Sequence, residues 1–412
     1  MRVLVASEAH FARGLDGRVY GEGSENYPFW SSYLGIFDQV GVLARLGHAK
    51  VSPGGNPADG PGVVFYSLDD YLGPWQYLRS LPRLRRQARE AVAVSDAFIL
   101  RVPGAVGYLA WQEIRRRGRP FAVEVLGDPW ESLAPGRVLG IGRPAARSWS
   151  RSRLEQVCRE APAACYVTQS WLQQRYPAGE PGKASAVFSC SDVRLGSPPG
   201  VAPWQARLER IRNATAGRRA WELGFIGSLA TLAKAPEVHL LALRMVLDGG
   251  SDARFSLVGD GRYRPRLERL AQDLGLAGRV RFLGARPAGP AVEQFLDGMD
   301  LFLLASHTEG LPRVLIEAMA RGCPAIGSTA GGIPELLAVA DLVQPGNTRL
   351  LAERISEALG DPDRLWAMAR RNLVAASRFS RERLDLERRE FLAEVRRQAA
   401  AGEICIAARL AG

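Results

Sequence analysis

Two runs of alternating strand-like and helix-like segments, separated by one break, constrain the fold of this chain more than any other feature. In the first run, residues 2–6, 62–66, 97–102, 121–126, 164–168 and 184–189 are short apolar stretches with the length of buried strands. Helical periodicities fall between them, at 33–46, 83–94 and 107–117. Residues 191–203 then lapse into DVRLGSPPGVAP, which reads as a linker. A second run follows, with strands expected at 222–226, 254–258, 280–283, 301–304 and 324–327. One of its helices shows the period directly: Leu267, Leu270, Ala271 and Leu274 share a face that stops at Gly275. Strands alternating with helices imply parallel sheets covered on both faces. The expectation is therefore α/β, with an N-terminal domain at 1–200 and a C-terminal domain at 201–375, both doubly wound and facing across a cleft. From Leu350 the chain reads as helical, with turns near Asp361-Pro362 and Gly402. A closing helix at about 376–412, striped with Leu384, Phe391 and Leu392, is expected to return onto the first domain.

Bulk properties narrow the class. With 47% hydrophobic and 24% charged residues the composition is that of a soluble globular protein, and no apolar run approaches a membrane span. The opening MRVLVASEAHF reads as a first strand and not as a leader, so a cytoplasmic location is expected. Five scattered cysteines without a CxxC pair fit a reducing compartment better than a disulfide framework or a zinc site. The net charge of +11 gathers at Arg79, Arg83, Arg85, Arg86 and Arg89, and again at Arg115, Arg116, Arg117 and Arg119. Such clusters suit an anionic substrate or peripheral association with an inner membrane face; solvated helix faces are the competing reading. Without interleaved aromatics or a recognisable module they do not point to nucleic acid. Only three lysines occur among 54 basic residues, which gives weight to a lysine at a motif position.

The densest candidate is residues 305–324, ASHTEGLPRVLIEAMARGCP. A polar loop ends at Gly310 and Pro312; a helix is expected next, with Val314, Leu315, Ala318 and Met319 as its apolar stripe and Gly322 as its cap. Helix N-termini suit phosphate, while the carboxylates of Glu309 and Glu317 would need hydroxyl partners, as a sugar provides. Phosphate and sugar together imply a nucleotide-sugar. A solvated ladder of Arg313, Glu317 and Arg321 is the bland alternative.

Glycine turns follow four other strands. Gly227-Ser228-Leu229 is followed by Lys234, the turn Gly259-Asp260-Gly261 closes the next strand, Phe282-Leu283-Gly284 another, and Gly331-Gly332 precedes Ile333. Each glycine permits close approach of backbone to a diphosphate, and Lys234 can neutralise it. No GxGxxG follows an early strand, which disfavours dinucleotide redox chemistry.

The order GSL…K, SLVGDGRYRPRLERLA, RVRFLG, EGLPRVLIEAMARGCPAIGS and GGIPELL resembles the retaining glycosyltransferases of family four, over about residues 221–375. That resemblance implies the GT-B architecture and metal-independent, cofactor-free transfer of a hexosyl group from a nucleotide-diphosphate sugar to an acceptor hydroxyl. It further implies that Glu309 holds the transferred sugar, Glu317 the ribose diol, and the Gly310 and Leu311 amides the distal phosphate. Lys234 would bind the diphosphate, and the turns at 259–261 and 281–284 would surround the base. Gly227 and Ser228 open the donor loop, but the family usually has arginine where Ser228 stands. Arg262, Arg264 and Arg286 are the candidate replacements. Loosely matched by comparison, the first domain has a glycine loop at 14–23 without paired glycines. Its Asp128, in a GDP turn, stands where many relatives carry a catalytic-site histidine; a turn cap is the other reading of that residue. His10 and His307 lie near strand ends, where a lone histidine is more often structural. The acceptor could be a glycan, a lipid-linked sugar, a natural product or a protein. An epimerase or hydrolase of the same fold, or a non-catalytic nucleotide-sugar binder, are the alternatives.

Overall fold

In the computed structural model, residues 1–21, 25–48, 57–132, 143–180, 182, 185–193, 195 and 201–411 are described. Two compact units result, one from Met1–Trp130, Pro144–Cys190 and Asp385–Gly412, the other including Ser191–Leu384.

The first unit is built on an eight-stranded sheet: β1 (Arg2–Arg13), β2 (Val19–Gly21), β3 (Gln39–His48), β4 (Val63–Leu68), β5 (Ala97–Val102), β6 (Ala122–Val125), β7 (Ala163–Tyr166) and β8 (Ala186–Ser189). Its order is β4-β3-β1-β5-β6-β7-β8, all parallel, with β2 antiparallel to β1. Parallel central strands are buried on both faces, which is why β5 and β6 read as unbroken apolar runs around Arg101 and Glu124. Those two buried charges pair with each other, Glu124 also accepts from Tyr33 Oη at 2.9 Å, and Arg388 lies 3.7 Å from it. Arg388 belongs to the closing helix Arg381–Ala411, which also meets Phe188 through Phe391 (ring centroids 5.7 Å) and the Pro162 carbonyl through Gln398.

Several expectations need correction. Residues 33–46 are not a helix: a 3-10 turn at Ser31–Gly35 leads into β3. The run Val40-Gly-Val-Leu-Ala44 lies between β1 and β4, where burial on both sides removes the alternation that identifies a strand. Gly41 belongs there because the Tyr66 ring occupies the place of its side chain. The glycine loop expected at 14–23 is the hairpin joining β1 to β2, closed by Gly14 N donating to Arg18 O at 2.8 Å; residues 22–24 lie outside the described residues. The linker at 191–203 is shortened by a helix, Val201–Thr215, and its residues 194 and 196–200 lie outside the described residues. No turn forms at Gly402, through which the closing helix runs without a break. Among the described residues no helix is long and apolar enough to cross a membrane.

The second unit has a six-stranded sheet: β9 (Trp221–Ile226), β10 (Ala253–Val258), β11 (Val280–Phe282), β12 (Leu301–Leu304), β13 (Ala325–Ser328) and β14 (Leu342–Val343). Its order, β11-β10-β9-β12-β13-β14, is parallel throughout. The direction of winding reverses between β9 and β12, and in such a sheet the crevice beyond the strands' carboxyl ends at that reversal is the ligand position.

Candidate active site

Both sides of that reversal carry the residues singled out from the sequence. The turn after β9 leads to Lys234 and then to the helix Pro236–Asp248; the loop after β12 carries Glu309 and leads to the helix Arg313–Ala320. Lys234 Nζ donates to Glu309 Oε1 at 2.8 Å, so residues 75 positions apart meet across the switch point. Ser306 Oγ donates to the same oxygen at 2.8 Å. The Gly310 and Leu311 amides donate to no group among the described residues, and they directly precede the helix start at Pro312. Unpaired amides beside an ammonium are what an incoming phosphate requires.

The glycine turns converge on the same edge. Gly259 bridges to Gly284, and the Leu229 amide donates to Asp260 O at 2.9 Å. Space as well as conformation requires glycine at 259 and at 331. Gly259, at φ +144°, lies against the Gly227 carbonyl, and Gly331, at φ +57°, against the Glu309 carbonyl; a Cβ at either would collide with backbone. Gly332 N then donates to Gly310 O at 2.7 Å, which fastens the glutamate loop to the turn after β13.

The family described as glycosyl transferases group 1 matches residues 221–361, the sheet and loops just described. These residues are a glycosyl transferases group 1 domain. Beyond the domain, the chain is 23% identical to protein CapJ of Staphylococcus aureus over 89% of each chain. It is 33% identical to a D-inositol 3-phosphate glycosyltransferase of Nocardia farcinica, over 44% of each. Two solved structures share the fold of nearly the whole chain, and both are GT-B glycosyltransferases. HepE from Anabaena, solved with UDP, superposes at TM-score 0.63 with 18% identity, covering 95% of this chain and 99% of its own. Sucrose-phosphate synthase from Thermosynechococcus elongatus superposes at 0.68 with 17% identity, covering 97% and 99%.

Within the group 1 domain, Glu317 lies on the helix Arg313–Ala320 and carries no ion pair among the described residues. Burial raises its carboxyl above the usual range, opposed by the charge of Arg313 and assisted by Glu293. The salt ladder does not form, because Arg321 turns instead to Asp297, with Nε at 2.8 Å, and to Glu293. Asp260 accepts from the Gly261 amide (2.7 Å) and from Arg264 (3.0 Å), which hold its carboxyl below the usual range. Phe282 ends β11 at the sheet's edge, and the Leu283 amide that follows donates to Leu257 O. Of the three replacement arginines, Arg264 is committed to Asp260 and Glu268. Arg262 carries no ion pair among the described residues, and its chain neighbours are fixed to the Ser228 turn: Tyr263 N donates to Leu229 O, and Gly261 abuts Ala230.

Asp128 caps its own turn. Its carboxylate is fully buried in the first unit, accepts from Trp130 N at 2.8 Å and from the Tyr176 hydroxyl, and lies 2.8 Å from Arg175 Nε. His10 lies 3.5 Å from Asp70, and His307 3.4 Å from Glu237.

Sequence reading missed His239. It is wholly buried, accepts at Nε2 from the Ala305 amide (3.0 Å), and therefore carries its proton on Nδ1, which donates to Ala235 O at 2.8 Å. Burial pushes its pKa down to about 4, so it stays neutral. This ring ties the residue after Lys234 to the end of β12, and so sets the spacing of the Lys234–Glu309 pair. A histidine five positions after a motif lysine, in an otherwise apolar stretch, was the available signal.

Proposed function

We propose that the chain is a retaining, metal-independent hexosyltransferase that moves a sugar from a nucleotide-diphosphate sugar to an acceptor hydroxyl. The observation that carries this is the Lys234–Glu309 contact across the switch point of a group 1 domain, beside the unpaired Gly310 and Leu311 amides. Lys234 and the amides meet the diphosphate and stabilise the charge that develops on it as the glycosidic bond breaks. Glu309 accepts from hydroxyls of the transferred sugar, and Glu317 from the ribose diol. Arg262 supplies the second cation, in place of the arginine that Ser228 replaces. The leaving phosphate accepts the acceptor's proton on the face it departs from, so no side-chain base is assigned. In the first unit the corresponding helix start is already filled: Glu8 Oε2 accepts from the Val106 amide at 3.0 Å and Oε1 lies 3.0 Å from Arg45. An anionic donor is accordingly assigned to the second unit. HepE was solved with UDP-glucose, and one relative is a mannosyltransferase acting on a phosphatidylinositol monomannoside; by likeness the acceptor class proposed here is a glycan, a lipid-linked sugar or a related natural product. A cytoplasmic location is part of the same proposal.

The test is product analysis. With its donor and an acceptor, the protein should form a glycoside whose anomeric configuration by proton NMR matches that of the donor, with the rate unchanged by EDTA. Inversion, or equal consumption of donor without acceptor, would overturn the assignment.

A further inference from the structure

We infer that the N-terminal end of the helix Gly73–Ala93 is a docking surface for an anionic phospholipid bilayer. This inference is independent of the donor assignment. The helix already has a fold-facing stripe, Leu84, Ala88, Ala91 and Val92, all buried. Its first turns serve no such purpose: Leu72, Trp75 and Leu78 are 70%, 80% and 56% exposed. Three large apolar side chains on one short segment are a costly feature in water and mark a binding surface. Tyr77, packed on Tyr71 with ring centroids 5.2 Å apart, anchors the tip to the first unit, so its display is fixed.

Charge decides what covers the tip. At helical spacing, Arg79 and Arg86 fall on the same exposed face as Trp75, and Arg83 flanks them. Arg79 and Arg85 carry no ion pair among the described residues, Arg86 meets Glu90 only at 3.8 Å with both side chains in solvent, and Asp69 is already held by Arg83 at 3.1 Å and by Gln87 at 2.8 Å. A second copy of this chain would bring one arginine row against another, which repels. A surface with an apolar interior and anionic headgroups satisfies both parts, tryptophan at the interface and arginine among the headgroups.

Sedimentation of the full chain with vesicles tests this, using phosphatidylcholine alone and an equal mixture with phosphatidylglycerol. Binding is expected to the mixed vesicles, weakening as salt is added. The pair Trp75→Ser and Leu78→Ser should weaken it about tenfold. The pair Arg79→Ser and Arg86→Ser should weaken it about 25-fold at low salt, roughly fivefold for each charge lost. All four side chains are exposed, so both variants should melt with wild type. Equal sedimentation with the two vesicle types would overturn the inference, as would unchanged binding by either variant. A concentration-dependent dimer abolished by Trp75→Ser would assign the patch to a second copy and also overturn it.

Discussion

Lys234→Ala is expected to lower the turnover number by two to three orders of magnitude, a loss of about 3–4 kcal/mol of transition-state stabilisation. The ammonium holds Glu309, whose side chain is only 11% exposed. Removing it takes away positive charge and leaves Glu309 with Ser306 alone. Lys234→Arg should recover little, because a planar fork does not reproduce a compact ammonium seated on one carboxylate oxygen. Single-turnover kinetics with saturating donor check this. A Lys234→Ala enzyme within about threefold of wild type would remove the lysine from the chemistry.

Glu317→Gln is expected to separate stability from binding. Because burial raises the Glu317 carboxyl, the folded protein holds that proton more tightly than the unfolded chain does. The resulting contribution to stability is present at low pH and is lost as pH rises from the unfolded to the folded pKa. At neutral pH the half-buried anion is a cost, so Glu317→Gln should keep or raise the melting temperature of the free protein. Donor affinity should fall at least about tenfold, the loss of one hydrogen bond to a charged acceptor. In wild type the affinity should also fall as pH drops through the raised pKa, and in the glutamine variant it should stay flat there. Calorimetric melting and donor titrations across acid pH read both. A variant that loses stability and keeps affinity would contradict the ribose role.

The second unit was legible because its constraints are local. Glu309, Gly310 and the following helix are one continuous stretch, and the glycines at 259 and 331 stand where backbone meets backbone. What joins those pieces was not legible. The Lys234–Glu309 contact and the His239 tie depend on β9 lying beside β12, a non-local pairing without a sequence period. β3 was misread for a related reason: a strand buried on both faces shows an apolar run that a buried helix shows too. Asp128 was open to two readings in sequence because a turn cap and a site carboxylate favour the same residue; its Trp130, Tyr176 and Arg175 contacts became visible only in the fold. The arginine-rich helix showed its charge in sequence, whereas the exposure of Trp75 and Leu78 required the packing of Leu84 and Ala88 to be known.

Isothermal titration of the wild-type chain with nucleotide-diphosphate sugars of each common base, repeated on Lys234→Ala and Glu317→Gln, tests the donor cradle most directly. At least one donor should bind at a single site, the matching nucleoside diphosphate should compete where the monophosphate does so far more weakly, and each substitution should cost at least about tenfold in affinity. Failure of every donor to bind, or binding that neither substitution weakens, would contradict the assignment of the second unit's switch point to a nucleotide-sugar.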